Sequence, residues 1–439
     1  MTAQSSQASD TPAGTSDTGI SDTGTSGTEP SDAEPSDTAA DSLRHNRDFT
    51  LLWTGQAVSE LGTQISTIAY PLLVLATTGS AARAGLVGGA SLIGTLLSLL
   101  PAGVVADRHS RRRVLVLSSL VQMAAVGSVV PAVLAHQVGL AHLMAVGLLV
   151  GAAAAFHQGA SRGAIPRLVA PNQLRTAMSV TQARGQAAAM LGSPIGGVLF
   201  SLAQSLPFAA DSLSFAAISV SAALLRDPLE PLDRGAVREP MRTAVTRGLR
   251  FVFAQPFLRV TSLWGAAVNA VAAGMMLMVI VIAKAHGASP FVIGVMVAVN
   301  AACGLAGSLL GVRLARRFGV RLSVLTTSWL LPACAVGIAY APWVWLITVL
   351  GALTTFTIMP VNVFFIVRAT RVTPDAMQAQ AANARQLIVS SLAWLAPPLS
   401  GTLTDSVGVR DAILTAAALY LLVAIWLQGK TEMRELDES

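Results

Sequence analysis

From residue 49 onward the chain alternates between long apolar runs and short polar punctuation. Twelve runs can be marked: 49–76, 84–106, 114–135, 139–160, 177–200, 204–225, 258–283, 291–312, 322–340, 342–367, 380–403 and 410–428. Each is about 20 residues or longer, which at 1.5 Å per residue matches the ~30 Å hydrocarbon core of a bilayer. The runs are continuously apolar rather than alternating over about ten residues, so helices are expected and barrel strands are not. The pattern predicts an all-α membrane protein of twelve transmembrane helices, numbered spans 1–12 in chain order.

The longest polar interruption between runs, 226–257, carries Pro228, Pro231, Pro240 and many arginines. It divides the spans into a six-helix bundle at 44–225 and another at 258–428, with a linker between them and a short tail at 429–439. Residues 1–43 read differently. They are rich in Ser, Thr, Asp, Gly and Pro, with eight acidic residues and no Lys or Arg. Such a segment has too little apolar surface to fold and is expected to be a disordered cytoplasmic tail. It lacks the basic start and apolar core of a signal peptide.

Composition agrees. Hydrophobic residues make up 53% and charged residues 12%, against about 25% charged in soluble domains. Charge location adds orientation. If the N-terminus is cytoplasmic, the termini and the loops after spans 2, 4, 6, 8 and 10 hold 24 of the 29 Lys and Arg. The opposite face holds only Arg83, Lys284 and Arg410. This positive-inside asymmetry predicts a multi-pass protein of the plasma (inner) membrane with both termini cytoplasmic. The basic residues form no patch on a soluble domain, so nucleic acid is not an expected partner. Cys303 and Cys334 lie inside apolar runs and the six histidines are scattered, so no metal or cofactor is expected, and no catalytic set points to an enzyme. A "QGKT" at 428–431 follows a membrane span and lacks the first glycine of a phosphate loop, leaving an ion gradient as the expected energy source.

The two halves repeat. "GVVADRHSRRR" (103–113) and "GVRLARRFGVR" (311–321) lie 208 residues apart; "GSPIGGVL" (192–199) matches "APPLSGTL" (396–403); Pro171 matches Pro374. Two six-helix repeats place a substrate site between them near the membrane midplane, with rocking motions giving alternating access. In the loop between spans 2 and 3, Gly103 leaves room for a neighbouring helix. Asp107 is a candidate cap or arginine partner that changes contacts as the helices rock. Arg108, Arg111 and Arg112, with Arg113, anchor the loop at the inner leaflet. The plain alternative is an anchor with an incidental Asp.

The run G-x-x-x-D-R-x-x-R-R at this place resembles the signature loop of the major facilitator superfamily. Ser110 stands where a second glycine is usual, and the second copy has Ala315 in place of Asp107. "NRDFTLLWTGQAVSELGTQIS" (46–66) and "AADSLSFAAISVSAAL" (209–224) resemble the branch that includes enterobactin exporters and macrolide-efflux proteins. The resemblance covers 44–428 and implies the superfamily's twelve-helix fold. "GSPIGG" (192–197) resembles the antiporter motif G-P-x-x-G-G, with Pro194 one residue late. It makes Gly192, Pro194, Gly196 and Gly197 a candidate helix-bend motif, beside the alternative of ordinary small-residue packing. Span 4 lacks the arginine that many proton antiporters of the superfamily carry.

Ionisable residues inside a bilayer cost roughly 2.5–3.5 kcal/mol on insertion scales and are functional candidates. Glu60 lies near mid-depth in span 1, and Arg184 lies two turns into span 5. The expectation is that Glu60 binds a proton or a cationic substrate and that Arg184 is its partner, against the alternative of a static ion pair. Gln64 shares the Glu60 face, and Arg385 of span 11 corresponds to Arg184 in the repeat, either completing a cavity charge set or simply lying at the cytoplasmic end of its span. Asp211 is expected to pack or cap. Tyr70, Trp264, Trp394 and Met275, Met276 and Met278 are candidates for an adaptable apolar pocket. Together these readings point to a monomeric secondary-active exporter of an amphipathic small molecule, such as a drug, antibiotic or siderophore, by proton antiport. A nutrient importer on the same fold and a non-transporting membrane sensor are the alternatives. Deleting residues 2–43 is expected to leave transport unchanged; activity lost at unchanged membrane abundance would give the tail a function.

Overall fold

The computed structural model describes residues 43, 45–227, 229–230, 241–318 and 320–429. The two tails, apart from a few flanking residues, and much of the linker lie outside the described residues. Every span forms a helix, and no strand occurs among the described residues. The first bundle contains Arg47–Thr78, Ala81–Arg108, Arg111–Gly127 with Val129–Leu134, Leu140–Leu168, Leu174–Leu202 and Leu206–Ala223. The second contains Pro256–Ala285, Pro290–Phe318, Val320–Ala339, Val344–Val372, a divided span 11 and Val409–Gln428. Eleven spans are long and apolar enough to cross a membrane as continuous helical segments among the described residues.

Span 11 is the exception. It consists of Gln378–Ser390 and Ala396–Val407, joined by turns. The apolar run at 380–403 predicts one continuous helix, which the structure corrects. Pro397 and Pro398 explain the break, because a proline ring clashes with the carbonyl four residues back and restricts the residue before it. The linker holds an element that hydropathy misses, the helix Met241–Ala254. Its Val252 packs in a small apolar cluster with Leu258, Ala369, Ala381 and Ala384, outside the main core.

The pairing of helices repeats between halves. Span 2 packs on span 4 as span 8 packs on span 10, and span 3 on span 6 as span 9 on span 12. Spans 5 and 11 are each preceded by a short 3₁₀ turn, Pro171–Gln173 and Asp375–Met377, which the matching prolines Pro171 and Pro374 open or precede. The contacts between halves follow the same exchange: span 5 meets span 8, and span 2 meets the second piece of span 11.

Both seams lie at the end opposite the arginine-bearing loops and are made of close backbone approach. A Cβ on Gly197 would sit 2.7 Å from Phe291 Cα, and one on Gly294 would sit 2.9 Å from Pro194 Cα. On the other seam, a Cβ on Gly401 would sit 2.8 Å from Ala82 Cα. Real Cβ atoms do not come so near, so glycine is what lets the halves meet here. Asp405, just beyond the apolar run of span 11, ties this seam. It accepts hydrogen bonds from Ser80 Oγ at 2.6 Å, Ala81 N–H at 2.9 Å and Ala82 N–H at 3.0 Å. It thus supplies a carboxylate to the N-terminus of span 2, whose unpaired N–H groups favour negative charge.

Partial burial pushes the Asp405 carboxyl up, but the bonds from Ser80, Ala82 and Ala81 together hold it below its ordinary value. A depressed carboxyl stabilises the folded state above its unfolded value of about 3.9 and loses that contribution as pH falls through the folded value. Because the site is open to water, the contribution should match a helix cap, about 1 kcal/mol. Asp405→Ala is expected to lower the melting midpoint of the detergent-purified protein by about 1–3 °C at pH 7. The difference from wild type should fade once pH falls below about 3.9. An unchanged midpoint at pH 7 would show that the cap contributes nothing.

Candidate functional site

Arg184 is the organising residue of the first bundle's interior. Its side chain is 6% exposed, and it faces span 1 as a two-pronged fork. Nε donates to Glu60 Oε2 at 3.0 Å, and Nη2 donates to Glu60 Oε1 at 2.7 Å. Nη1 donates to Gln56 Oε1 at 2.8 Å and to the Trp53 carbonyl at 3.4 Å. The guanidinium carbon also lies 6.0 Å from the Trp53 ring centroid, within cation–π range. Gln56 then donates to Ser161 of span 4. One turn earlier on that span, His157 shares a 3.2 Å hydrogen bond with Ser119 of span 3. A buried charge is tolerated when it is paired and its remaining donors are satisfied; span 1 supplies those groups, and span 4 holds Gln56 in place.

The pairing of Glu60 with Arg184 agrees with the sequence expectation. Gln64, expected on the same helix face as Glu60, makes no hydrogen bond to the pair among the described residues, and its Cβ packs toward Gly192 of span 5. Spans 1 and 5 run in the same direction, and helical side chains lean toward their own N-terminus. Arg184 therefore reaches back to Gln56 and Trp53, one and two turns before Glu60, rather than forward to Gln64. Trp53 and Ser161 were not candidates from sequence. Glu60 keeps 40% of its side chain exposed despite its partner, so the carboxylate remains reachable from the space it faces. Asp211 is buried and accepts from Ser66 and Ser214, a packing role as expected.

Arg385 lies in the first piece of span 11, and among the described residues no ion pair or hydrogen bond connects it to Glu60 or Arg184. It lines a separate cavity of about 700 Å³ in the second bundle, with Trp264, Asn269, Asn362 and Phe365. A smaller cavity of about 280 Å³ is lined by Met275, Met276, Met296, Asn300 and Tyr420. Trp264 and two of the methionines thus line cavities as expected, whereas Tyr70 stacks edge-on against Phe208, 5.0 Å between centroids, inside the first bundle.

In the span 5 motif, Pro194 sits inside a helix assigned without a break, Leu174–Leu202. Gly192 and Gly196 face span 1, where a Cβ on Gly196 would lie 3.0 Å from Ile65 Cα, while Gly197 faces span 8. The motif therefore serves two seams with one helix.

The arginine loop differs from expectation at two positions. Among the described residues, no atom outside its own stretch of helix lies within 4 Å of where a Gly103 Cβ would be, so the close helix approach expected there is not seen. Asp107 falls in the last turn of Ala81–Arg108, not at a helix start, and its side chain lies outside the described residues. Ser110 is the residue that caps span 3, accepting from Arg113 N–H. Arg108 is exposed in the last turn of span 2, where a cation suits the helix dipole. Arg111 packs over Gly163 of span 4. Arg112 donates to the Ala223 carbonyl at the end of span 6, and Arg167 donates to the Glu230 carbonyl. Asp48 accepts from the Arg226 and Asp227 N–H groups, both at 3.1 Å. Together with the Arg111 N–H, which donates to the Leu229 carbonyl at 3.1 Å, these contacts fasten the start of the linker to the first bundle.

The profile of the transmembrane secretion effector family (MFS_3) matches residues 38–439. The chain belongs to this family. Curated relatives include the multidrug efflux pump Tap of Mycolicibacterium fortuitum, 27% identical over 392 residues, which spans 86% of this chain and 94% of that protein. Another is macrolide efflux protein A of Streptococcus pyogenes, 29% identical over 217 residues, or 47% and 53% of the two chains. Among solved structures, a bacterial homolog of the lysosomal transporter Spinster, inward-facing and unoccupied, superposes with a TM-score of 0.71 at 15% identity over 90% of this chain and 98% of that one. The nucleoside transporter NupG gives 0.68 at 12% identity, over 87% and 98%. The fold is that of the major facilitator superfamily.

Arg184 and Glu60 should be energetically coupled. Breaking the pair by Glu60→Gln is expected to cost about 2 kcal/mol, between the limits for exposed and buried pairs. Glu60→Gln/Arg184→Gln should cost less than the sum of the single variants by about 1–2 kcal/mol. Melting of the four detergent-purified proteins measures this cycle, and additive losses would mean the two charges act independently.

Proposed function

We propose that the chain exports an amphipathic small molecule, of the drug or antibiotic class, across the plasma membrane in exchange for protons, with both termini in the cytoplasm. Membership of the secretion effector family and likeness along nearly the whole chain to a multidrug efflux pump support the export direction. The observation that carries the coupling is the Glu60 carboxylate, paired to a buried arginine yet 40% exposed.

Both seams between the halves are closed at one end, and under the positive-inside orientation that is the outer end. A substrate would then enter from the cytoplasmic side or the inner leaflet. Protonation of Glu60 would remove the counter-charge of Arg184, and deprotonation would restore it. A difference of that kind between two protonation states can bias a rocking equilibrium, because the two arrangements solvate the pair differently. A cationic substrate near Glu60 would compete with the proton for one carboxylate, which is the simplest form of exchange.

The test uses inside-out vesicles containing the protein, with an acid interior read by a fluorescent dye. Adding a transported drug should dissipate the gradient. Glu60→Gln should abolish that drug-dependent proton movement while the protein remains in the membrane. Drug transport that stayed intact and pH-dependent in Glu60→Gln would overturn the role given to Glu60. Asp107→Asn should lower transport severalfold, on the order of 1 kcal/mol in the rate-limiting step; wild-type rates would leave the arginine loop as an anchor.

A further inference from the structure

The repeat carries an asymmetry. Arg385 follows Arg184 by 201 residues, and Trp264 follows Glu60 by 204, close to the offsets that relate the two halves. In the first bundle, the carboxylate of span 1 and the arginine of span 5 form an ion pair. In the second, Trp264 of span 7 and Arg385 of span 11 line one cavity of about 700 Å³, with no carboxylate between them. Among the described residues, Arg385 is the only charged one that lines it, and no Asp or Glu does. Among the same residues its Nε has no hydrogen-bond partner, and neither has the buried Trp264 Nε1.

A guanidinium in such surroundings is a positive charge awaiting a counter-ion, since an uncompensated cation in a low-dielectric site is costly. The polar groups nearby suit an oxygen-bearing ligand. Asn269, Asn362 and Gln386 line the same space and are exposed to it. The wall beside them is aromatic, with Trp264 and Phe365 edge to face at 5.4 Å. An arginine fork, amide groups and an aromatic wall match a molecule with a planar apolar body and one carboxylate.

We propose that Arg385 binds the anionic group, a carboxylate, of an amphipathic aromatic substrate held in the cavity between spans 7, 10 and 11. The proposal deepens the export reading, because it takes the ligand of this cavity to be the exported molecule. It divides the labour between the bundles: Glu60 and Arg184 handle the proton or a cationic group, and Arg385 handles the anion.

The test compares rhodamine B, which has a free carboxylate, with its ethyl ester, which has none. Each dye is titrated into the full-length protein purified in detergent, with binding read by fluorescence anisotropy. Wild type should bind the acid about tenfold more tightly than the ester. Arg385→Gln should abolish that preference by weakening binding of the acid, with binding of the cationic ester not weakened. Arg385→Lys, which keeps the charge but not the fork, should retain part of it, and supplies the same comparison if Arg385→Gln does not fold. Equal binding of acid and ester by wild type, or a preference that survives Arg385→Gln, would overturn the proposal. So would displacement of the acid by phosphatidylglycerol at similar concentrations, which would give the arginine to a lipid headgroup. Efflux of both dyes from intact cells separates the two readings. A wild type that binds the acid through Arg385 but exports neither dye retains the anion site and loses the export reading.

Discussion

A guanidinium buried among apolar helices must find oxygen atoms for its N–H groups, and the first bundle is arranged around that demand. Arg184 takes both oxygens of Glu60, the amide oxygen of Gln56 and a backbone carbonyl. These fix the register of span 5 against span 1. Gln56 in turn reaches Ser161 and so ties in span 4. A slide of one helical turn between spans 1 and 5 would strand the charge. The same interaction that sets packing leaves the Glu60 side chain 40% exposed to the space it faces.

The second bundle repeats the helices but not this solution. Where span 1 has an acid, span 7 has Trp264, and the cavity beside Arg385 stays wide. Two halves built on one plan have come to hold opposite chemistry, one internally neutralised and one with a charge to offer. A symmetric pair of ion pairs would grip both bundles equally and leave little to distinguish a loaded from an empty site.

Much of this was legible in the sequence for simple physical reasons. Runs of apolar residues near 20 long have few uses besides crossing a bilayer, and Glu60 and Arg184 stood out because charges in such runs are rare. What was not legible depended on distance or direction. Gln56 and Gln64 are equally spaced from Glu60 in sequence, and only the lean of Arg184 along span 5 selects the first. The break in span 11 lay within an unbroken apolar stretch, though Pro397 and Pro398 marked the place. The tie from Asp405 to the start of span 2 joins residues more than 320 apart, beyond any local pattern. Ser110 carried the usual signal for the cap of span 3, a serine just before a helical run.

The glycine seams at the closed end carry a consequence beyond adhesion. At Gly197, Gly294 and Gly401, backbone lies against backbone with no space even for a methyl group. A file of water molecules cannot pass where a methyl group cannot fit, and protons hop along files of water. At these points the halves leave no room for such a file, so a larger side chain there would push them apart and give water, and with it protons, space between them.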